Sequence, residues 1–232
     1  MKITVIGTWI VVLVAALATT TQAAFVNPSW TRPVDDTQAA TDQTTYQSWN
    51  VFTSTTGPNA PDVAEINPNG TANAYDSSSA ASGSFVTSGG NIYSFTAVSI
   101  EPRAIVPGFA TGELTNSLVQ VLVQGSLIDV DDLTLDGVSV STLADYSYTE
   151  LSSTPLGGFG GAAVEHAWTF TAPADLASFQ LDWGWNAESA SLDRISIDTQ
   201  VAAVPEPATW ALALVGMLGL GVVARRRQRD RR

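Results

Sequence analysis

The chain has 232 residues, a length that accommodates one domain with appended segments. Its formal charge of −12 is uneven, because residues 24–204 hold twenty acidic and three basic residues, a net charge of −17. So acidic a body repels phosphate backbones, which excludes nucleic acid as an expected partner, and the absence of cysteine excludes disulfides and thiolate metal sites.

Residues 1–23 have the layout of a secretory signal peptide. Lys2 precedes an apolar run from Val5 to Ala18, and small residues, including Thr21, follow it. This order predicts export through the secretion translocon and cleavage by signal peptidase between Ala23 and Ala24. An uncleaved membrane anchor is the alternative, but the apolar run is short for a span.

Residues 24–203 form the predicted body, which is long enough for one β-sandwich with its own core. Apolar side chains alternate with period two in several stretches, which predicts strands. The clearest are "SLVQVLVQGS", "AAVEHAWTFT", "SFQLDWGW" and "LDRISIDT", with further candidates in "QSWNVF", "NIYSFTAVS", "GVSVST" and "ADYSYTEL". In "LDRISIDT" the alternation slips by one residue at Asp193-Arg194, which indicates a bulge or a late strand start.

Gly- and Ser-rich turns separate these stretches, and no helix of convincing length is expected before residue 208. Eight or more short strands predict an all-β fold, a single jelly-roll-like β-sandwich.

His166 is the only histidine, so a catalytic triad or a histidine metal site would have to include it. It alternates with Val164 and Trp168 on one strand face, which favours a core or groove-lining imidazole over a catalytic one. A glycoside hydrolase needs two carboxylates about 5–10 Å apart, and no local motif pairs any two glutamates of the body. We therefore expect no enzyme, no catalytic residue and no required cofactor.

The stretch "DVDDLTLDG" is the best metal candidate, because Asp129, Asp131 and Asp132 offer the oxygen ligands that calcium takes. The EF-hand pattern is absent, and Asp129 and Asp131 alternate with Val130 and Leu133 like the solvent side of a strand. A solvated strand edge is the favoured interpretation, and a structural calcium is the alternative.

Two tryptophans, Trp183 and Trp185, lie close enough in sequence to present two rings to a sugar from one strand face. They also continue the apolar stripe of Phe179 and Leu181, so core packing is the simpler interpretation. Glycan contact is the alternative, and it predicts an exposed aromatic platform.

Residues 204–232 combine three signals in a fixed order. Pro205, Glu206 and Pro207 come first, and the two prolines keep this triplet out of helix and central strand. An uncharged run over residues 208–224 follows, which as a helix would cover about 26 Å, near the roughly 30 Å of a bilayer core. Six arginines, beginning with Arg225, Arg226 and Arg227, then predict a cytoplasmic C-terminus.

This order closely resembles the PEP-CTERM sorting signal of Gram-negative bacteria. The resemblance implies that an exosortase, a membrane-embedded cysteine protease, recognises Pro205, Glu206 and Pro207 and cleaves near them. It also implies export across the inner membrane, transient anchoring by residues 208–224, and a final place in the cell envelope or outside the cell.

That family is associated with exopolysaccharide, biofilm and floc formation, so the resemblance implies a non-catalytic envelope or matrix protein. A carbohydrate-binding module using Trp183 and Trp185 and a secreted glycan-active hydrolase are the alternatives. The stretch "ASLDRISIDTQ" is also similar to the last strand of jelly-roll modules related to carbohydrate-binding modules, through Asp193, Ile195 and Ile197.

Overall fold

A computed structural model of the chain describes residues 25–78, 83–95, 100–110, 115–125, 133–156, 161–172, 177–184 and 189–202. Several predicted features lie outside these residues. They are the signal peptide with Ala23 and Ala24, the candidate calcium ligands Asp129, Asp131 and Asp132, Trp185, and the C-terminal signal from Pro205 to the arginines.

The described residues form thirteen strands, one short α-helix and one 3-10 turn. In chain order the elements are α1 (Asp36–Asp42), β1 (Thr44–Trp49), β2 (Ala64–Ile66), β3 (Asn73–Asp76), β4 (Phe85–Val86), β5 (Ile92–Ser94), β6 (Pro102–Pro107), β7 (Thr115–Gly125), β8 (Leu133–Leu135), β9 (Val138–Ser139), a 3-10 turn (Val140–Thr142), β10 (Ala144–Pro155), β11 (Ala162–Ala172), β12 (Ser178–Trp183) and β13 (Ala190–Val201).

The strands build two antiparallel sheets. Sheet A has the order β10-β11-β7-β13-β1-β2, and the β4–β5 hairpin joins it beside β13; sheet B has the order β3-β6-β12-β8-β9. Numbering β1, β6, β7, β8, β9, β11, β12 and β13 as strands 1 to 8 gives 1-8-3-6 in sheet A and 2-7-4-5 in sheet B. This is the connectivity of a jelly roll, and it confirms the predicted all-β sandwich.

The core lies between the two sheets and follows the predicted alternation. In sheet A, Val119 and Val121 on β7 are the cross-strand neighbours of Ile197 and Ile195 on β13, and all four side chains are buried. Burial of about 25 cal/mol per Å² of such apolar surface is the main stabilising term of a sandwich without disulfides.

The predicted slip in the last strand is confirmed as a β-bulge. The register between β13 and β7 shifts between Leu192 and Arg194, so Asp193 is the extra residue. A bulge re-aims the side chain of the inserted residue, and here the Asp193 carboxylate accepts a hydrogen bond from Gln124 on β7.

The predicted stretches do not include α1, β2, β3, β4 or β6. The longest of these elements are α1 and β6. Helix α1 has seven residues, too few for a visible period, and it begins where Asp35 accepts a hydrogen bond from the Gln38 N–H at 2.8 Å. Strand β6 is bounded by Pro102 and Pro107, residues that usually mark loops, although Ala104 between them is fully buried.

Residues 25–33, here called the N-terminal strap, lie against the outer face of sheet A. The side chain of Gln120 accepts from the Val26 N–H at 2.8 Å and donates to the Val26 carbonyl at 3.1 Å. Arg32 donates to both carboxylate oxygens of the fully buried Asp198, at 2.5 and 2.8 Å. The guanidinium of Arg194 lies over the Phe25 ring.

Strand β13 connects the two ends of the sandwich. It begins at Ala190 beside β5 and ends at Val201, whose N–H donates to the Gln43 carbonyl at 2.9 Å. Its twelve residues span roughly 37 Å at about 3.4 Å each. The hairpin β4–β5 and the point where the chain leaves the sandwich are therefore at opposite ends of the molecule.

Candidate functional site

Three aromatic side chains form an exposed cluster on the β4–β5 hairpin. The rings of Phe85 and Phe95 are stacked with centroids 5.2 Å apart, and Tyr93 meets both edge-on at 5.7 and 4.7 Å. Phe95 is 68% exposed and Phe85 is 37% exposed. We call these three residues the aromatic cluster.

Local pairing sets the direction of the cluster. Phe85 pairs with Tyr93 across the hairpin, and Tyr93 pairs in turn with Ser191 on β13. The neighbours of Tyr93 on β5, Ile92 and Ser94, are fully buried. Because side chains alternate along a strand, Tyr93 points away from the core, onto the outer face of sheet A.

A polar group centred on the bulge residue Asp193 lies next to the aromatic cluster, since Ser191 is the cross-strand neighbour of Tyr93. The Asp193 carboxylate accepts hydrogen bonds from Asn91 Nδ2 at 2.7 Å, from Ser191 Oγ at 2.6 Å, and from Gln124 Nε2. Burial raises the pKa of Asp193, and the three hydrogen bonds act in the opposite direction. The carboxylate thereby holds two amide side chains in fixed orientations.

Two rings of the aromatic cluster, Tyr93 and Phe95, and the polar residues Asn91, Gln124 and Ser191 line one cleft of about 560 Å³, here called the aromatic cleft. Phe85 and Asp193 are not part of its lining, but they contact side chains that are. That volume lies within the roughly 300–1,000 Å³ of small-ligand sites. Its walls are formed by Tyr93, Phe95, Asn91, Gln124, Ser191 and residues next to them. Apolar rings on one side and amides on the other can bind a molecule that has both apolar faces and hydroxyl groups.

The structure confirms the favoured interpretation of Trp183, core packing, and corrects the alternative of glycan contact. Trp183 is 1% exposed and packs in the core between the sheets, so its ring cannot stack on a sugar. The period-two stripe with Phe179 and Leu181 was therefore a core stripe, and the exposed aromatic platform lies on another strand. Trp185 lies outside the described residues.

The aromatic cluster was not predicted from the sequence, although the alternation of its strand was recognised. In the predicted strand "NIYSFTAVS", Tyr93 and Phe95 alternate with Ile92 and Ser94, which places the two rings on one face. Nothing local indicated which face was exposed, and Phe85 lies in a strand of only two residues, too short for any period.

His166 lies in the core, as the favoured interpretation predicted. It is 1% exposed, its ring is stacked on Trp168 at 5.6 Å, and its Nδ1 shares a hydrogen bond of 2.9 Å with the Tyr148 hydroxyl. Burial lowers the pKa of His166 to about 4. The adjacent Glu165 projects to the opposite face of β11, so the two cannot act on one substrate.

The predicted calcium ligands Asp129, Asp131 and Asp132 lie outside the described residues, and that site stays a prediction. Among residues the structure does describe, no three of the types His, Cys, Asp and Glu come together as a metal site would require. Within that same part of the chain, no helix has the length and apolar character needed to cross a bilayer, and residues 208–224 are not part of it.

Comparison with known protein families identifies the C-terminal segment. Residues 203–228 match the model of the PEP-CTERM protein-sorting motif. No curated protein and no solved structure matches the chain. The motif implies processing by an exosortase, export, and a place in the cell envelope or outside the cell.

Proposed function

We propose that the processed protein is a non-catalytic component of the cell envelope or extracellular matrix that associates with exopolysaccharide. The observation that carries this proposal is the exposed aromatic cluster, in which Phe95 is 68% exposed. Exposure of apolar rings to water is energetically unfavourable, so contiguous exposed apolar groups often mark interaction sites.

The chemistry of the cleft supports a sugar polymer as the partner. Pyranose rings combine apolar C–H faces with hydroxyl groups, so they complement an aromatic ring next to amide groups. Two rings of the aromatic cluster lie beside Asn91 and Gln124 in one cleft. The sorting motif implies an envelope or extracellular location, and such a location is compatible with a polysaccharide partner.

The environment of His166 supports a non-catalytic role. The imidazole is enclosed by the core, and burial lowers its pKa to about 4, so it is neutral at physiological pH and has no path to a bulky substrate. Its Nδ1 is engaged by Tyr148 at 2.9 Å, and the stacked Trp168 covers one ring face.

The test uses the processed protein purified from its host and the host's own exopolysaccharide. We expect the protein to be retarded in native gels that contain the polysaccharide, relative to gels without it. We also expect prolonged incubation to release no new reducing ends. Migration unaffected by the polysaccharide would contradict the association, and steady release of reducing ends would contradict the non-catalytic role.

A further inference from the structure

We infer that the aromatic cleft is a subsite for an uncharged pyranose polysaccharide, in which a sugar ring lies on Phe95 and its hydroxyl groups meet Asn91 and Gln124. This inference rests on the proposed function and specifies the site and the ligand class, neither of which follows from the sorting motif.

The aromatic side of the cleft has the geometry of a platform. Phe85 and Phe95 are stacked with an interplanar angle of 25°, and Tyr93 supports them edge-on. The three rings fix one another, so a ligand would not have to order a mobile side chain when it binds. Phe95, the most exposed of the three, offers the ring surface for stacking.

The polar side of the cleft is pre-organised by Asp193. One carboxylate oxygen accepts from Asn91 and Ser191, and the other accepts from Gln124. These bonds use donor hydrogens of the two amides and fix their planes beside the cleft. Fixed neutral amides suit sugar hydroxyls, which donate and accept without carrying charge.

The charge of the molecule selects against acidic polymers. Residues 24–204 carry a net charge of −17. The polar group itself contains a carboxylate, that of Asp193. A uronate or sulfate group brought into the cleft would meet this field at short range. An uncharged chain meets no such penalty, so we commit to it as the occupant.

The position of the cleft fits a polymer outside the membrane. The hairpin that carries the aromatic cluster pairs with β13 at Ala190, and the chain leaves the sandwich after Val201 at the other end of the same strand. Along β13 the hairpin therefore lies roughly 37 Å from Val201, the end of the strand that precedes the sorting signal.

The experiment compares four polymers, two of which, the cellulose derivatives, differ mainly in charge. The processed protein is run in native gels containing hydroxyethyl cellulose, which is uncharged, carboxymethyl cellulose, which carries carboxylates, dextran, or host exopolysaccharide. The variant Phe95→Ala removes the platform, and Tyr93→Phe removes one hydroxyl while keeping the ring. Val138→Ala truncates a 51% exposed side chain on sheet B as the matched control.

We expect host exopolysaccharide and at least one of the uncharged polymers to retard the protein, and carboxymethyl cellulose to do so at least tenfold less. Phe95→Ala should weaken binding about tenfold, Tyr93→Phe a few-fold, and Val138→Ala not at all. Since Phe95 is mostly exposed, the fold should persist, which circular dichroism checks.

Three results would overturn the inference while leaving the proposed function intact. They are retardation by host exopolysaccharide that Phe95→Ala does not change, equal retardation by carboxymethyl cellulose, and binding of host exopolysaccharide with neither uncharged polymer. No retardation by host exopolysaccharide would instead reject the proposed function. A dimer in sedimentation that Phe95→Ala converts to a monomer would assign the cluster to a second copy of the chain.

Discussion

Asp193 contributes to the cleft because of one inserted residue. Without the bulge, the alternation of β13 would continue unbroken through Leu192, and the residue that follows would have a regular partner on β7. The insertion instead brings a carboxylate within hydrogen-bond distance of Asn91 at 2.7 Å and of Ser191 at 2.6 Å. A local irregularity of the strand therefore organises the polar wall of the proposed site.

Gly125 is a position where an added side chain should cause both backbone strain and a steric collision. Its φ is 107°, and a Cβ there would collide with the carbonyl oxygen of Ser189. We expect Gly125→Ala to lower the free energy of unfolding by about 2–5 kcal/mol, from left-handed strain plus overpacking. The measurement is urea denaturation of the processed protein.

Gly137 supplies the matched control for that variant. Its φ is 80°, and nothing lies within 4 Å of the position a Cβ would take. Gly137→Ala should therefore show only the strain, about 1–2 kcal/mol. Equal costs at the two positions would mean that the close backbone approach at Gly125 contributes nothing.

His166 predicts a specific dependence of stability on pH. Burial lowers its pKa from 6.5 to about 4 in the folded protein, so between these values the unfolded chain binds a proton that the folded chain does not. Stability should therefore fall as the pH falls from 6.5 to 4, by about 3 kcal/mol in total. The raised pKa values of Glu165, Asp193 and Asp198 act in the opposite direction over the acidic range.

The variant His166→Phe isolates this contribution, because those carboxylates are common to both proteins. The unfolding free energy of the wild type minus that of the variant should decrease as the pH falls from 6.5 to 4, because only the wild type has the histidine that is protonated on unfolding. Tyr148→Phe is the control, since it removes the hydrogen bond to Nδ1 and keeps the titrating ring. A difference that stays constant over this range would contradict the assignment of His166 as a buried neutral group.

Among the structural elements, the N-terminal strap depends on one buried ion pair. Asp198 is fully buried and Arg32 is partly exposed, so removal of the arginine leaves an uncompensated charge inside the protein. We expect Arg32→Ala to cost about 3–5 kcal/mol, measured by urea denaturation. The double variant Arg32→Ala/Asp198→Asn should cost less than Arg32→Ala alone.

A second ion pair provides the comparison for the strap. Arg103 and Asp182 on sheet B are also 2.5 Å apart, but both side chains are partly exposed to solvent, at 31% and 24%, whereas Asp198 is fully buried. Arg103→Ala should cost about 0–1 kcal/mol, because solvent screens an exposed pair. Similar losses from Arg32→Ala and Arg103→Ala would show that burial of Asp198 does not set the stability of the strap.

The elements that the sequence predicted best are the long ones with an unbroken period. Strands β7, β11, β12 and β13 lie within a few residues of the predicted stretches, because each has one face in the core. Elements of about two periods or fewer can leave no signal, as the seven residues of α1 and the two residues of β4 show. Local pattern could not assign exposure either: it placed Trp183 and Tyr93 on strand faces equally well, and only the pairing of the sheets distinguishes the buried ring from the exposed one.

At the scale of the whole molecule, the proposed binding site and the sorting motif lie at different ends of β13. The aromatic cluster lies beside the start of β13, and the sorting motif begins just after the end of that strand. Three residues bridge Val201 and Pro205, and extended residues span at most about 3.3–3.6 Å each. A protease that cleaves near the triplet must therefore work within a short distance of the folded sandwich.

The last prediction concerns what that protease recognises. An uncharged run followed by arginines halts a chain through apolar length and the cost of moving guanidinium groups, about 2.5–3.5 kcal/mol each at the bilayer centre. Any similar anchor would halt the chain in the same way, so the anchor alone does not specify which protease cleaves the protein. Glu206 is the only charged residue between Asp198 and Arg225 and lies between two prolines.

Replacing Glu206 by glutamine should therefore leave export and arrest intact while the uncleaved form accumulates in membrane fractions. The control is Glu101→Gln, which removes one exposed negative charge from the sandwich and should not alter processing. Intact mass of the wild-type product should place its ends near Ala24 and between Val204 and Pro207. Each variant removes one negative charge, but only Glu206→Gln removes it from the triplet. Normal cleavage of Glu206→Gln would therefore show that the protease does not recognise the charge of Glu206.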